Sequence, residues 1–212
     1  MKENKKAKKV VALLLCAVLL VVGSVSATVA YLTDSKSVTN TFTVGKVAIT
    51  LDEAITDVYG VADGTNRAQT GNKYKLIPGH TYVKDPTITV EANSEDCYLF
   101  VKVVNGIKDY EVASGSNKTI AEQIGLNGWT KLDSASTPTY NVYYQMYTSQ
   151  DTSKKVKVFE NFEIAPDVNT EASTKDAWAA VTESNTKITI TAYAVQEDGL
   201  NVGNAWNAVK DL

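Results

Sequence analysis

The chain has one histidine, His80, among its 212 residues, and that count limits most of the chemistry its side chains can do. A zinc peptidase of the His-Glu-x-x-His kind needs two imidazoles one helical turn apart and a glutamate base, which a single histidine cannot supply. A serine triad would have to recruit His80 from the turn "IPGH" (Ile77 to His80), and no Gly-x-Ser-x-Gly elbow occurs. Acidic residues are plentiful: Asp52, Glu53, Glu95, Asp96, Glu197 and Asp198 offer carboxylates for sugar chemistry. Such chemistry needs a defined spatial separation, which sequence spacing does not report. "SED" (Ser94 to Asp96) and "QEDG" (Gln196 to Gly199) place hard oxygen atoms on loops, as calcium requires, but form no EF-hand loop and read as solvated turns. No cofactor and no metal ion is expected, and the chain reads as non-enzymatic.

Two cysteines are present. Cys16 lies in an apolar run, behind a Leu15 too large for lipoprotein-type processing. Cys97 alternates in phase with Leu99, Val101 and Val103, as a buried hydrophobe does, and once the N-terminal segment is removed it has no partner for a disulfide. Tyr140, Tyr143, Tyr144 and Tyr147 crowd one short stretch. Their faces could stack on sugars, in which case a carbohydrate- or host-binding module would use exposed tyrosines such as Tyr143 and Tyr147; the preferred reading packs one strand face inward and the other on a neighbour.

The elements that would hold these residues repeat with a period of two. Val47, Ile49 and Leu51 share one face, Ile88 and Val90 another, and Leu99, Val101 and Val103 oppose Phe100 and Lys102. Val142, Tyr144 and Met146 alternate with Tyr143, Gln145 and Tyr147. Val156, Val158, Phe162 and Ile164 form a further strand, and "KITITAYAV" turns Ile188, Ile190, Ala192 and Ala194 inward with Thr189, Thr191 and Tyr193 outward. Six or more such strands predict an all-β fold, an antiparallel β-sandwich with one or two short helices in its connections. The stretch from Asp63 to Lys73 lacks apolar periodicity and reads as a mobile surface loop. Short helices are expected over Thr119 to Ile124, with Ser116 or Asn117 near the cap and Gly125 at the end, and from Thr174, with Trp178 and Val181 on one side.

The N-terminus has a basic head, Met1 to Lys9, an apolar run, Val10 to Val22, and a small-residue tail, Gly23 to Ala30, which together read as a secretory signal peptide over residues 1–30. The apolar run is short for a membrane span, and an uncleaved anchor reaching Leu32 is the alternative. Cleavage after Ala27 and cleavage after Ala30 both fit the small-x-small pattern. Residues 1–30 hold five lysines and one glutamate of the 21 basic and 24 acidic residues, so the remaining chain stands at 16 against 23. A net charge near −7 argues against nucleic acid as a partner. Membrane contact is expected only through the signal before cleavage.

Behind the signal, "TVAYLTDSKSVTNTFTVGKVAITL" resembles the specialised signal-peptide class of TasA and camelysin proteins, exported by Firmicutes. There a small-residue site is followed by an aromatic or apolar pair, Thr/Asn-Asp, and Asn-x-Phe-x-x-Gly before the first strand. The matching positions are Ala30, Tyr31, Leu32, Thr33, Asp34, Asn40, Phe42 and Gly45. "LIPGHTYVKDPTITVEANSEDCYLFVKV", "ITITAYAVQEDG" and "AWNAV" resemble related exported proteins less specifically. The resemblance implies a jelly-roll-like sandwich, a SipW-type signal peptidase as processing partner, and a role among extracellular biofilm-matrix fibres and their accessory subunits. It also brings a camelysin-like metal-dependent endopeptidase as an alternative, which the histidine count opposes.

Residues 31–45 are thus expected to form a polar ribbon ahead of a single sandwich domain, 46–212. As a donor strand, the ribbon would add to an open sheet edge of another subunit, with Tyr31, Leu32, Val38, Phe42 and Val44 as its apolar contacts. Head-to-tail addition need not close and so builds filaments. Otherwise residues 39 to 45 are the domain's own first strand behind a loose tail. The expected function is a secreted structural protein of the matrix or cell surface, with self-association or related matrix subunits as its partners.

Overall fold

The period-two pattern becomes ten strands in a computed structural model, which describes residues 47–112, 118–166 and 186–212. They are β1 (Ile49–Thr56), β2 (Ala62–Ala68), β3 (Thr81–Val83), β4 (Thr87–Val90), β5 (Cys97–Asn105), β6 (Thr130–Lys131), β7 (Asn141–Tyr147), β8 (Lys155–Lys157), β9 (Asn161–Glu163) and β10 (Ile188–Gln196). Two helices are described, α1 (Ile120–Leu126) and α2 (Val202–Val209). One four-stranded sheet runs β2-β1-β4-β8, a second runs β10-β5-β7-β6, and β3 pairs with β9 in a small ribbon. Each pairing is antiparallel, and the described strands lie in the compact unit Val44–Leu212.

The two larger sheets bury their facing apolar sides against one another, which is the sandwich that the alternation predicts. Ile88 and Val90 of the first sheet and Leu99, Val101 and Val103 of the second share one core with Tyr82, Phe159 and Phe162. Removing these side chains from water contributes the main stabilising free energy, at about 25 cal/mol per Å² of apolar surface. Val158, Phe162 and Ile164 are buried as expected, but Val156 and Phe162 sit in different strands and different sheets, because the chain leaves β8 at Val158 and re-enters pairing at β9.

A second core lies on the outer face of the β10-β5-β7-β6 sheet. Phe100, placed outward by the alternation, is 0% exposed there, packed with Val142, Ala205 and Trp206. Its cover is α2, a helix absent from the sequence expectation. Asn201 caps this helix by accepting the Asn204 N–H at 3.0 Å, and Val202, Ala205, Trp206 and Val209 recur on one face at helical spacing. Tyr193, also expected to face outward, meets Trp206 edge to face at 5.6 Å between ring centroids.

The stretch from Asp63 to Lys73 corrects the loop expectation, because residues through Ala68 belong to β2. Pairing with β1 and polar tethers hold it in place of apolar burial. Arg67 of β2 reaches Asp52 and Asp85, each at 2.6 Å. Asn72 donates to Glu53 Oε1 through its backbone and its side chain, at 2.9 and 2.8 Å.

The first helix exists as expected but is capped by Thr119. Its Oγ1 accepts the Glu122 N–H while the Glu122 carboxylate accepts the Thr119 N–H, a reciprocal capping box. Gly125 lies inside this helix, and Asn127 follows as its C-cap. Ser116, Asn117 and the segment from Thr174 with Trp178 and Val181 lie outside the described residues. "IPGH" forms the expected turn, with Gly79 at φ +75° and the His80 N–H donating to the Ile77 carbonyl at 3.2 Å.

Candidate functional site

Of the candidate catalytic groups, His80, Asp52, Glu53 and Asp96 are engaged in holding the fold. His80 Nε2 lies 2.7 Å from the Tyr59 carbonyl, which makes Nε2 the protonated nitrogen, and the ring stands edge-on to Tyr82. Asp52 is occupied by Arg67, and Glu53 by Lys84 and Asn72. Asp96 accepts the Ser149 N–H at 2.7 Å, which holds its carboxyl below the usual range. The "SED" and "QEDG" loops do meet, with the Glu197 N–H donating to the Asp96 carbonyl at 3.0 Å. Among the described residues, no three His, Cys, Asp or Glu side chains are grouped to hold a metal ion.

The tyrosines correct the sugar-platform reading. Tyr143 and Tyr147 are 5% and 2% exposed, turned between the sheets, so neither offers a face to a glycan. Tyr140 and Tyr144 pack on the other side of the same strand, with the second core. The Lys102 ammonium stands 4.9 Å from the centre of the Tyr140 ring, a cation–π distance.

What remains chemically unspent is backbone. β10 pairs with β5 over all nine residues, from Ile188 opposite Asn105 to Gln196 opposite Cys97. Among the described residues, no strand pairs with its other side. Across the sandwich, β1 has a matching gap. It pairs with β4 from Ile49 to Asp52, and with β2 only from Glu53 onward. The N-terminal half of β1 therefore has one side without a strand partner among the described residues.

Side chains along this flank report the same opening. Leu99 and Val101 of β5 are fully buried, whereas Ala194 and Ala192, opposite them on β10, are only half-buried. Val47, Ile49 and Leu51 on β1 are half-buried as well and pack on the same core. A long edge without charged side chains presents N–H and C=O groups in register for another chain. β8, at the edge of the other sheet, is short and carries Lys155 and Lys157, which guard it.

A second exposed feature is the β1–β2 turn, where Val58, Tyr59 and Val61 are exposed with Ile55 just ahead of them in sequence. The turn is rigid. Asp57 Oδ1 accepts the N–H groups of Tyr59 and Val61, each at 2.9 Å, and Gly60 occupies φ +76° against Tyr82. Exposed apolar side chains held in a fixed shape are a feature of interaction surfaces.

Ala27 and Ala30, the candidate cleavage residues, and Tyr31, Leu32, Val38, Phe42 and Val44, the candidate assembly strand, lie outside the described residues. The open flank went unnoticed in the sequence, although the uncharged alternation of "ITITAYAV" was its signal. No family model matches the chain, and neither a curated protein nor a solved structure matches it.

Proposed function

We propose that this protein is an exported structural protein of the extracellular biofilm matrix or cell surface, a fibre subunit or an accessory subunit that assembles by strand addition. The observation that supports this reading is that one side of β10 and the N-terminal half of one side of β1 have no strand partner among the described residues, both lined by half-buried apolar side chains. An extended segment entering there would gain main-chain hydrogen bonds from the edge and bury alternate side chains in the core. The donor is the ribbon of residues 31–45, whose Val38, Phe42 and Val44 have the spacing to fill such a slot. A SipW-type signal peptidase would free that donor, so that processing controls assembly.

Electron microscopy with size-exclusion chromatography tests this reading on protein beginning at Tyr31 beside a version beginning at Lys46. Filaments or discrete oligomers from the longer chain alone are the expected result. Folded monomers from both chains would overturn self-assembly and leave an accessory role at the surface.

A further inference from the structure

One buried carboxylate holds both an amine and a primary amide. Glu53 Oε2 accepts from Lys84 Nζ at 2.5 Å, while Glu53 Oε1 accepts from Asn72 Nδ2 at 2.8 Å and from the Asn72 backbone N–H at 2.9 Å. The Asn72 side-chain carbonyl is engaged as well, accepting the Thr56 N–H at 3.0 Å. Its amide nitrogen donates a second time, to the Ala54 carbonyl at 2.8 Å. A nucleophile, a proton carrier and an electrophile are therefore tethered to one group.

The surroundings favour reaction over simple pairing. Lys84 and Glu53 are 6% and 7% exposed. An ammonium has three N–H donors, and Glu53 is the one acceptor for them among the described residues. Tyr74 donates to the carbonyl of Val83, the residue before Lys84, at 2.9 Å, and burial pushes its hydroxyl up to about 12. In such a dry setting a charge-separated pair lacks the solvation that would hold it, and a proton moves readily along the Nζ–Oε2 hydrogen bond. The same exclusion of water protects the amide from hydrolysis.

We propose that Lys84 and Asn72 join in an intramolecular isopeptide bond, Nζ to Cγ, with Glu53 as the proton carrier. An Nζ proton passes to Glu53, and the freed lone pair forms a bond to Asn72 Cγ. The carbonyl π pair moves onto Oδ1, where the Thr56 N–H stabilises the developing charge. Glu53 then gives its proton to Nδ2 and takes a second one from Nζ. The Cγ–Nδ2 bond breaks, its electron pair leaving with the nitrogen as ammonia, and the carbonyl re-forms. The products are an amide, ammonia and a protonated Glu53; nothing is oxidised or reduced, and no co-reactant enters. The bond closes residues 72–84 into a ring that includes β3, a covalent brace in a fold whose described cysteine, Cys97, is free. It forms within one chain and does not depend on strand addition.

Intact-mass spectrometry of the full chain, followed by tryptic mapping, tests the proposal. The expected mass is one ammonia below that of the sequence, with a branched peptide in which Ala68–Lys73 is joined to Leu76–Lys102, uncut at Lys84. Glu53→Gln and Lys84→Arg are expected to show the full sequence mass and separate peptides. The parent chain decides the existence of the bond even where a variant fails to fold. A parent mass equal to the sequence overturns the proposal. So does loss of ammonia without the branched peptide, which is cyclisation at an asparagine. A branched peptide that persists in Glu53→Gln overturns the route through Glu53.

Discussion

Glu53 Oε2 lies 2.5 Å from Lys84 Nζ, with the two side chains 9% and 7% exposed. This pair joins β1 to the segment between β3 and β4, and Asn72 occupies the other carboxylate oxygen. A buried pair of this kind contributes little over an apolar replacement, but removing one partner strands a charge in the interior.

Glu53→Leu and Lys84→Met are each expected to destabilise the fold by about 3–5 kcal/mol. The double variant Glu53→Leu/Lys84→Met should cost clearly less than the sum of the two. Urea unfolding of the single and double variants measures the coupling; additive losses would show that the two side chains act separately.

Gly60 adopts φ +76°, and a Cβ there would come within 2.7 Å of the Tyr82 Cα. The intruding atom would meet backbone, which cannot swing away. Gly60→Ala is expected to cost at least about 2 kcal/mol, from the left-handed backbone and the close approach together. A thermal midpoint unchanged from the parent would contradict this account of the turn.

Cys97 is fully buried, and burial, followed by the charge of Asp96, pushes its thiol from 9.0 up to about 11. The folded state therefore favours the protonated thiol. This contribution to stability is complete below pH 9 and declines as pH rises through 11. Native protein at pH 8 should resist iodoacetamide and react promptly in urea, as mass spectrometry would record. Rapid labelling of the folded chain would argue for a reactive site.

Thr189 and Thr191 point outward from the edge strand β10 and are exposed. Replacing both with lysine should leave the monomer's unfolding midpoint nearly unchanged, as surface changes do, while preventing strand addition at that edge. Retained filaments in the Thr189→Lys/Thr191→Lys variant would place the acceptor elsewhere.

The inward faces of the sandwich were legible because water lies on one side of most of its strands. Ile88, Val90, Leu99, Val101 and Val103 are buried where the alternation put them. Phe100 and Tyr193 were misread for a physical reason: α2 covers the outer face of their sheet, so both phases of the alternation carry apolar residues. β2 was missed because ion pairs through Arg67 and pairing with β1 replace the apolar face that periodicity detects. Tyr143 and Tyr147 could be placed on one face from sequence, but not on the buried one. The open flank depends on which strand ends a sheet, and the uncharged alternation of "ITITAYAV" records that position only indirectly.

Phe100 and the Trp206 that covers it, 5.5 Å apart between ring centroids, are separated by half the length of the chain. A chain that emerges N-terminus first therefore presents the bare outer face of β5 and β7 long before α2 exists to cap it. Closure of that face is a late, long-range event, of the kind that slows folding.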